Sequence, residues 1–154
     1  MPLTIFNLNA SSKSILIVDD DRIIVELLSV MFKKYGFIVF KAEDGLEAWN
    51  IFNNENIDVV LTDIRMPGLD GRELSYRIRN QSPFTKIAIM TGEESDVGTE
   101  LLNDGSADYF FLKPFDIKMS VRFLYQRVML HDHLYSSQPT DSHRSYPPSS
   151  GITN

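Results

Sequence analysis

The sequence predicts an α/β fold in which five parallel strands form one sheet with helices on both faces. Five apolar runs mark the strands and begin at Ile15, Ile38, Val59, Ile87 and Phe110. Successive runs start roughly 20 to 30 residues apart, which leaves room for one crossover helix in each interval. The runs are continuous rather than alternating, so we expect strands that are buried on both faces. Right-handed crossovers then complete a doubly wound sheet.

The first two intervals carry apolar residues at helical spacing. Residues 22–35 predict a helix that ends at Gly36 and packs on the sheet. Its inward stripe is predicted to be Ile24, Leu27, Leu28, Met31 and Tyr35. Residues 45–52 predict a shorter helix with Leu46, Trp49 and Phe52 inward.

The later intervals predict three more helices. Residues 70–80 place Leu74 and Ile78 inward, and three arginines are predicted to point outward as a surface face: Arg72, Arg77 and Arg79. A weak helix is expected over 95–103, and a last helix runs from about residue 116 into the 130s. One stripe of that last helix is apolar and should face the sheet: Ile117, Val121, Leu124 and Val128. Met119, Phe123 and Leu130 lie on nearly the opposite face, where a partner could bind.

Composition limits the class of protein. The chain has 154 residues and a formal net charge of -6, from 21 acidic and 15 basic residues. This charge disfavours direct binding to nucleic acid or to an anionic membrane. The absence of cysteine fits a reducing compartment, and the sequence shows no membrane span and no secretory signal. We therefore expect a soluble, cytoplasmic domain.

Acidic side chains follow two of the predicted strands. The first strand ends in Asp19, Asp20 and Asp21, and the third ends in Asp63. Ligands bind at the carboxyl ends of parallel strands, so at least three of these carboxylates should converge if the two strands are neighbours. Two unit charges about 4 Å apart repel by about 4 kcal/mol at an effective dielectric of about 20. The cluster therefore needs a cation, and carboxylate ligands suit Mg²⁺.

Two further strands end in polar groups. Thr91 and Gly92 follow the fourth strand, and Lys113 follows the fifth. A nucleophilic carboxylate, metal-binding acids, a hydroxyl and an ammonium group together are the parts that phosphoryl transfer requires. Gly92 would leave room for the phosphoryl group.

Four motifs, in this order and spacing, resemble the receiver domain of two-component response regulators. They are ILIVDDD at 15–21, LTDIRMPGLDG at 61–71, IAIMTG at 87–92 and FLKPF at 111–115. The resemblance, closest to the single-domain chemotaxis-regulator type, implies a flavodoxin-like sheet of strand order 2-1-3-4-5. The receiver domain is expected over 13–135, after an N-terminal extension at 1–12. Residues 136–154 contain six serines and three prolines and few large apolar groups, so their composition predicts a disordered tail or linker.

The resemblance implies roles for the acidic residues. Asp63 resembles the phosphoacceptor, which receives its phosphoryl group from a sensor histidine kinase or a histidine phosphotransfer protein. Asp20 resembles the direct Mg²⁺ ligand, and Asp19 a ligand that acts mostly through water. Asp63 and the backbone carbonyl of Arg65 complete the expected metal site, which Mn²⁺ could also occupy.

The remaining motif positions have implied roles as well. Thr91 and Lys113 resemble the residues that bind the phosphoryl oxygens, and Thr91 with Phe110 resembles the conformational switch. Pro114 resembles a proline that follows a cis peptide bond. Two departures stand out: Phe110 has no hydroxyl group at a position where tyrosine is common, and Gly92 replaces the more frequent alanine.

The sequence also suggests a rim interaction. Arg65 lies two residues after Asp63, and Glu93 lies two residues after Thr91. We hypothesise that Arg65 and Glu93 pair across the site and shield the acyl phosphate from water. The alternative is that both are solvated surface charges, whose pairing contributes roughly 0 to 1 kcal/mol.

The resemblance predicts a signalling protein rather than an enzyme with multiple turnover. A Mg²⁺-dependent phosphohydrolase usually carries a second acid two residues after its nucleophile, and Arg65 occupies that position. The surface of the fourth helix, fifth strand and fifth helix is the expected contact for a downstream target or a second copy of the chain. The alternative is a receiver fold that is never phosphorylated and acts only as a protein-interaction module.

Overall fold

Helices and strands alternate along the whole part of the chain that the computed structural model describes, residues 12–92 and 96–136, with side chains as far as residue 129. The strands are β1 (Ser14–Val18), β2 (Ile38–Ala42), β3 (Val59–Asp63), β4 (Lys86–Thr91) and β5 (Tyr109–Leu112). The helices are α1 (Arg22–Lys34), α2 (Gly45–Asn54), α3 (Gly71–Gln81), α4 (Asp96–Asn103) and α5 (Ile117–Ser136). The predicted extension and tail lie almost wholly outside the described residues.

The strands form one parallel sheet in the order β2-β1-β3-β4-β5, which confirms the flavodoxin-like fold. β1 and β3 are neighbours, and Val18 lies opposite Thr62 in their register. The carboxyl ends of β1 and β3 therefore lie side by side, and the carboxyl ends of β4 and β5 follow along the same edge, where Thr91 pairs with Leu112.

Two hydrophobic clusters pack on the two faces of the sheet. Alternate residues of β1 and β3 point to opposite faces, and every residue of both strands is buried. On one face these strands pack against α1 and α5 through Phe32 and Leu124, and on the other against α2, α3 and α4 through Phe52, Leu74 and Leu101. The prediction of strands buried on both faces is confirmed for β1, β3 and nearly all of β4. It was wrong for the edge strands β2 and β5, where Ile38 is 52% and Leu112 43% exposed.

Helix phase was predicted less well than helix position. Leu27 of α1 is 48% exposed and Leu46 of α2 is 61% exposed, so both inward assignments were wrong. Val25, Leu28 and Phe32 form the buried face of α1 instead. The apolar residues of α1 cover more than one face, so periodicity alone did not determine which stripe met the sheet.

The inward residues of α3 are confirmed, because Leu74 and Ile78 are fully buried. Arg79 differs from the prediction of a solvated face: its NH2 group lies 2.6 Å from Asp108 Oδ2, and its NH1 group donates to the Thr85 carbonyl at 3.0 Å. It joins α3 to the segment before β5. A side chain that long can leave the helix surface and satisfy backbone groups elsewhere.

The apolar stripe of α5 is confirmed by the burial of Val121, Leu124 and Val128. The assignment of Phe123 to the opposite face was wrong, since its ring packs edge-on against Tyr109 and Phe111 of β5 with ring centroids 5.4 and 5.9 Å apart.

Met119 is 71% exposed, as the prediction of an outer face for α5 requires. The side chain of Leu130 lies outside the described residues. No helix in the described part of the chain combines the length and the apolar character needed to cross a membrane.

Candidate functional site

Three carboxylates meet where β1 and β3 end. One oxygen each from Asp19, Asp20 and Asp63 lies within 4.8 Å of the others. Asp19 is fully buried, Asp63 is 9% exposed and Asp20 faces solvent. The structure thus brings together the three acids expected from the sequence, and it does so because β1 and β3 are adjacent.

Lys113 reaches this cluster from the end of β5. Its ammonium Nζ lies 2.6 Å from Asp19 Oδ2 and 3.3 Å from Asp63 Oδ2. The backbone N–H of Lys113 donates to the Thr91 carbonyl at 2.6 Å, which ties the ends of β4 and β5 together. The Lys113–Pro114 peptide bond is cis. One ammonium group therefore partly neutralises two of the three carboxylates.

Burial and charge shift the pKa values of this ion pair. Burial raises the pKa of the Asp19 carboxyl, and the hydrogen bonds from Lys113 and from the backbone of Asp21 only partly oppose it. Burial alone would lower the pKa of Lys113, but its hydrogen bond to Asp19 and the charges of Asp19 and Asp63 raise that pKa above its ordinary value. Lys113 is consequently a stable cation at neutral pH.

Backbone donors orient two of the acids. The N–H of Asp21 donates to Asp19 Oδ1 at 2.9 Å, and the N–H of Ile64 donates to Asp63 Oδ1 at 2.8 Å. The Asp21 side chain does not join the cluster. It caps α1 by accepting from the N–H of Ile23 at 2.9 Å.

The backbone of Gly71 packs against the backbone of Asp63 and helps to fix its position, a role that was not predicted from the sequence. A Cβ atom at this first residue of α3 would lie 2.0 Å from the Asp63 carbonyl oxygen. The N–H of Gly71 donates to the Ile64 carbonyl at 2.8 Å, and Thr62 Oγ1 donates to the Asp63 carbonyl at 2.9 Å. The glycine that follows the capping Asp70 was the available signal in the sequence.

The other expected site residues surround the cluster at varying depth. Thr91 is 3% exposed at the end of β4. Gly92 is exposed, and among the described residues a Cβ there would meet Lys113 Cβ alone, at 3.9 Å. Arg65 is exposed in the loop after β3, where it lines a shallow cavity with Val97. Glu93 lies outside the described residues, so the Arg65–Glu93 pair stays a prediction.

Phe110 lies on β5, half-buried, on the side of the sheet that carries α4. Its ring packs directly on Gly98 of that helix. The sequence reasoning singled out Phe110 but not the glycine beneath it.

The donor set at the cluster consists of hard oxygen ligands. Three carboxylate oxygens within 4.8 Å suit a divalent cation such as Mg²⁺, and the chain has no cysteine that would favour a softer metal. Lys113 lies within ion-pair distance of Asp19 and Asp63, so one positive side chain faces three acids that a divalent cation would help to neutralise. The residues present therefore fit a metal.

The fold and the site define a class: a flavodoxin-like α/β protein with an acidic cluster and a lysine at the carboxyl edge of its sheet. The family model described as the response regulator receiver domain matches residues 15–122. The chain belongs to this family of receiver domains in two-component response regulators. Receiver domains are not classical enzymes.

Solved structures support the same assignment. A CheY-like receiver domain from Methanospirillum hungatei superposes with a TM-score of 0.74 at 26% identity, over 80% of this chain and 99% of that one. The chemotaxis protein CheY4 of Vibrio cholerae gives 0.70 at 31% identity, over 77% and 99%. The response regulator TrrA of Thermotoga maritima, solved in complex with Mg²⁺-BeF, gives 0.65 at 32% identity, over 74% and 97%.

Proposed function

We propose that this chain is a phosphorylated receiver: Asp63 accepts a phosphoryl group from a phosphohistidine on a sensor histidine kinase or a histidine phosphotransfer protein. One observation carries the proposal. The ammonium of Lys113 lies 2.6 Å from Asp19 and 3.3 Å from Asp63, beside a third carboxylate. A structural ion pair would need only one acid, whereas three acids and one lysine suit a site that also receives a phosphoryl group and a cation.

The chain's own groups account for the transfer step. A carboxylate oxygen of Asp63 attacks the phosphorus atom, the new O–P bond forms as the P–N bond to histidine breaks, and the electron pair stays on the imidazole nitrogen. Lys113 and the Thr91 hydroxyl stabilise the phosphoryl oxygens. Asp19 holds the Lys113 ammonium beside the acceptor through their 2.6 Å contact.

The metal site is part of the same proposal. The side chains of Asp19, Asp20 and Asp63 and the carbonyl of Arg65 would hold Mg²⁺, or Mn²⁺ in its place. A bound divalent ion supplies positive charge next to the acidic groups and the phosphoryl oxygens. The Mg²⁺-BeF complex of the Thermotoga maritima relative supports this assignment by analogy.

The output surface consists of α4, β5 and α5, with Thr91 and Phe110 as the switch that links it to Asp63. Leu102, Leu112 and Met119 are exposed apolar residues on these elements. We propose that a downstream target or a second copy of the chain binds there, in the cytoplasm and without direct contact to nucleic acid or membrane. Residues 13–135 form the receiver domain in this proposal, between the extension at 1–12 and the tail or linker at 136–154.

Intact mass after incubation with acetyl phosphate and Mg²⁺ tests the proposal. Wild type should gain one phosphoryl group, and Asp63→Asn should gain none. Glu55→Gln is the matched control. It neutralises an exposed acid directly after the last residue of α2, and it should be phosphorylated like wild type. An unmodified wild type would favour the interaction-only receiver, and a modified Asp63→Asn would place the acceptor elsewhere.

A further inference from the structure

Gly98 and Phe110 make an unusually close contact between α4 and β5. A Cβ atom built on Gly98 would lie 2.1 Å from Phe110 Cε2 and 2.3 Å from Cδ2, whereas real Cβ atoms essentially never approach another heavy atom within 3.0 Å. The Phe110 ring therefore lies on the bare backbone of α4. No other residue type leaves room for the ring in this position.

Backbone conformation does not explain the glycine. Gly36, Gly68 and Gly105 have positive φ angles, but Gly98 does not. Glycine within a helix is less favourable than alanine, because it loses more conformational entropy on folding. Glycine at position 98 thus makes α4 less stable than alanine would, but it leaves a space that the ring of Phe110 fills.

α4 is anchored to the core on the side that faces the sheet. Leu101, one turn further along, is fully buried in the core between the sheet and the helices. Two exposed contacts to α3 add to this: Arg72 NH2 lies 2.6 Å from Glu100 Oε2, and Tyr76 OH donates at 3.0 Å to Oδ2 of Asp104, the residue that follows α4. The end of a phenylalanine side chain is easier to displace than this helix.

We propose that Gly98 is a positioning residue for the switch. Because it has no side chain, it leaves the space that the Phe110 ring occupies against α4, and this contact couples the position of the ring to α4. Any side chain at position 98 would fill that space and displace the ring. The inference rests on the proposed function, because it takes Phe110 as the residue whose position reports the state of Asp63.

A double-variant cycle tests the contact itself. In a Phe110→Ala background, Gly98→Ala should raise the urea midpoint, since alanine is the better helix former. In the wild-type background the same change should lower the midpoint or leave it unimproved. Thr99→Ala, at the next and exposed position of α4, should change both backgrounds equally. An equal rise for Gly98→Ala in both backgrounds would overturn the inference. If Gly98→Ala alone does not fold, failure of Phe110→Ala to restore folding would overturn it as well.

A second measurement separates a switch role from a purely structural one. Phenylalanine ring resonances, with that of Phe110 assigned by Phe110→Leu, would be recorded with Mg²⁺ before and after adding beryllofluoride. The Ile64 amide, which donates to Asp63 Oδ1 at 2.8 Å, reports binding at the acceptor. In wild type both signals should shift. In Gly98→Ala the Ile64 amide resonance should still shift. The Phe110 ring resonances should differ from those of wild type before beryllofluoride is added and should not change when it is added.

The outcomes distinguish the two proposals. A Phe110 ring that responds equally in wild type and Gly98→Ala would overturn the positioning role of Gly98. A wild-type Ile64 amide that does not respond would instead overturn the proposed acceptor site and, with it, the switch.

Discussion

Replacing Asp20 with asparagine should stabilise the protein when no divalent cation is present. Asp20 is the exposed member of the three-acid cluster, and no hydrogen bond or ion pair joins it to another residue in the described part of the chain. The substitution keeps the shape of the side chain and removes one negative charge. It therefore removes repulsion without removing a stabilising contact.

The geometry sets the magnitude. Oxygens of the three acids lie within 4.8 Å of one another, a distance at which two unit charges repel by about 0.9 kcal/mol in bulk water and by about 3.5 kcal/mol at an effective dielectric of about 20. Asp20 faces solvent, so the value in water is the better guide. Two neighbours repel Asp20, and the Lys113 ammonium that contacts both of them offsets roughly one of these repulsions. We expect Asp20→Asn to raise the free energy of unfolding by about 1 kcal/mol.

Urea unfolding followed by circular dichroism measures this change. With EDTA, the midpoint of Asp20→Asn should lie about 0.5 to 1 M above wild type, given typical urea dependences for small domains. In saturating Mg²⁺ the wild type should gain stability by binding the ion, and the variant should gain much less. Glu55→Gln should stay within about 0.5 kcal/mol of wild type under both conditions. An unchanged or lower midpoint for Asp20→Asn in EDTA would refute the argument from repulsion.

Three further predictions concern the neighbouring structure. The pKa of Lys113 is raised above 10.5, so its ion pair stabilises the fold at neutral pH, and this stabilisation is lost as the pH rises through the raised pKa. Lys113→Met should lack this alkaline loss of stability. Urea midpoints measured from neutral to alkaline pH test the prediction. Asp108→Ala removes the acceptor for Arg79 at 2.6 Å and for a β4 amide at 2.9 Å, and should lower the free energy of unfolding by about 2 to 4 kcal/mol. Gly71→Ala should cost about 1 to 3 kcal/mol by overpacking and slow the phosphorylation of Asp63 by acetyl phosphate, measured by mass over time.

Each of these predictions has a control and a contrary result. Lys118→Met removes an exposed lysine of α5 and should keep the alkaline loss, and an identical alkaline profile for wild type and Lys113→Met would contradict the ion-pair argument. Asp116→Ala removes only an exposed cap at the start of α5, so a similar cost for Asp108→Ala would show that the half-buried contacts of Asp108 contribute little. If Gly71→Ala were phosphorylated at the wild-type rate, the backbone around Asp63 would be shown to accommodate the added methyl group without loss of function.

Strand positions and most of the acidic site could be predicted from the sequence. A strand buried on both faces must be apolar throughout, which made the runs at Ile15 and Val59 visible, and the polar residues that end them had to lie at one edge of a parallel sheet. Capping by Asp21 was not foreseen, because an acid next to two other acids looks the same in a sequence whether it binds a cation or a helix end.

Helix faces were predicted less securely. Leu27 and Leu46 are apolar yet exposed, and Arg79 is charged yet half-buried. Hydrophobic spacing gives the period of a helix but not its rotation when apolar residues cover more than one face, and a long cationic side chain can follow either solvent or a nearby acceptor.

The sequence by itself thus determined where each strand lies and which polar groups follow it, because an apolar run and the polar residue that ends it are adjacent along the chain. Only the tertiary structure decided which of those groups touch. Lys113 reaches Asp19 from 94 positions away along the chain, and the Phe110 ring lies on Gly98, because the order of the strands and the closeness of α4 to β5 bring them together. Contacts of this kind depend on the packing of whole elements, which no local pattern of residues records.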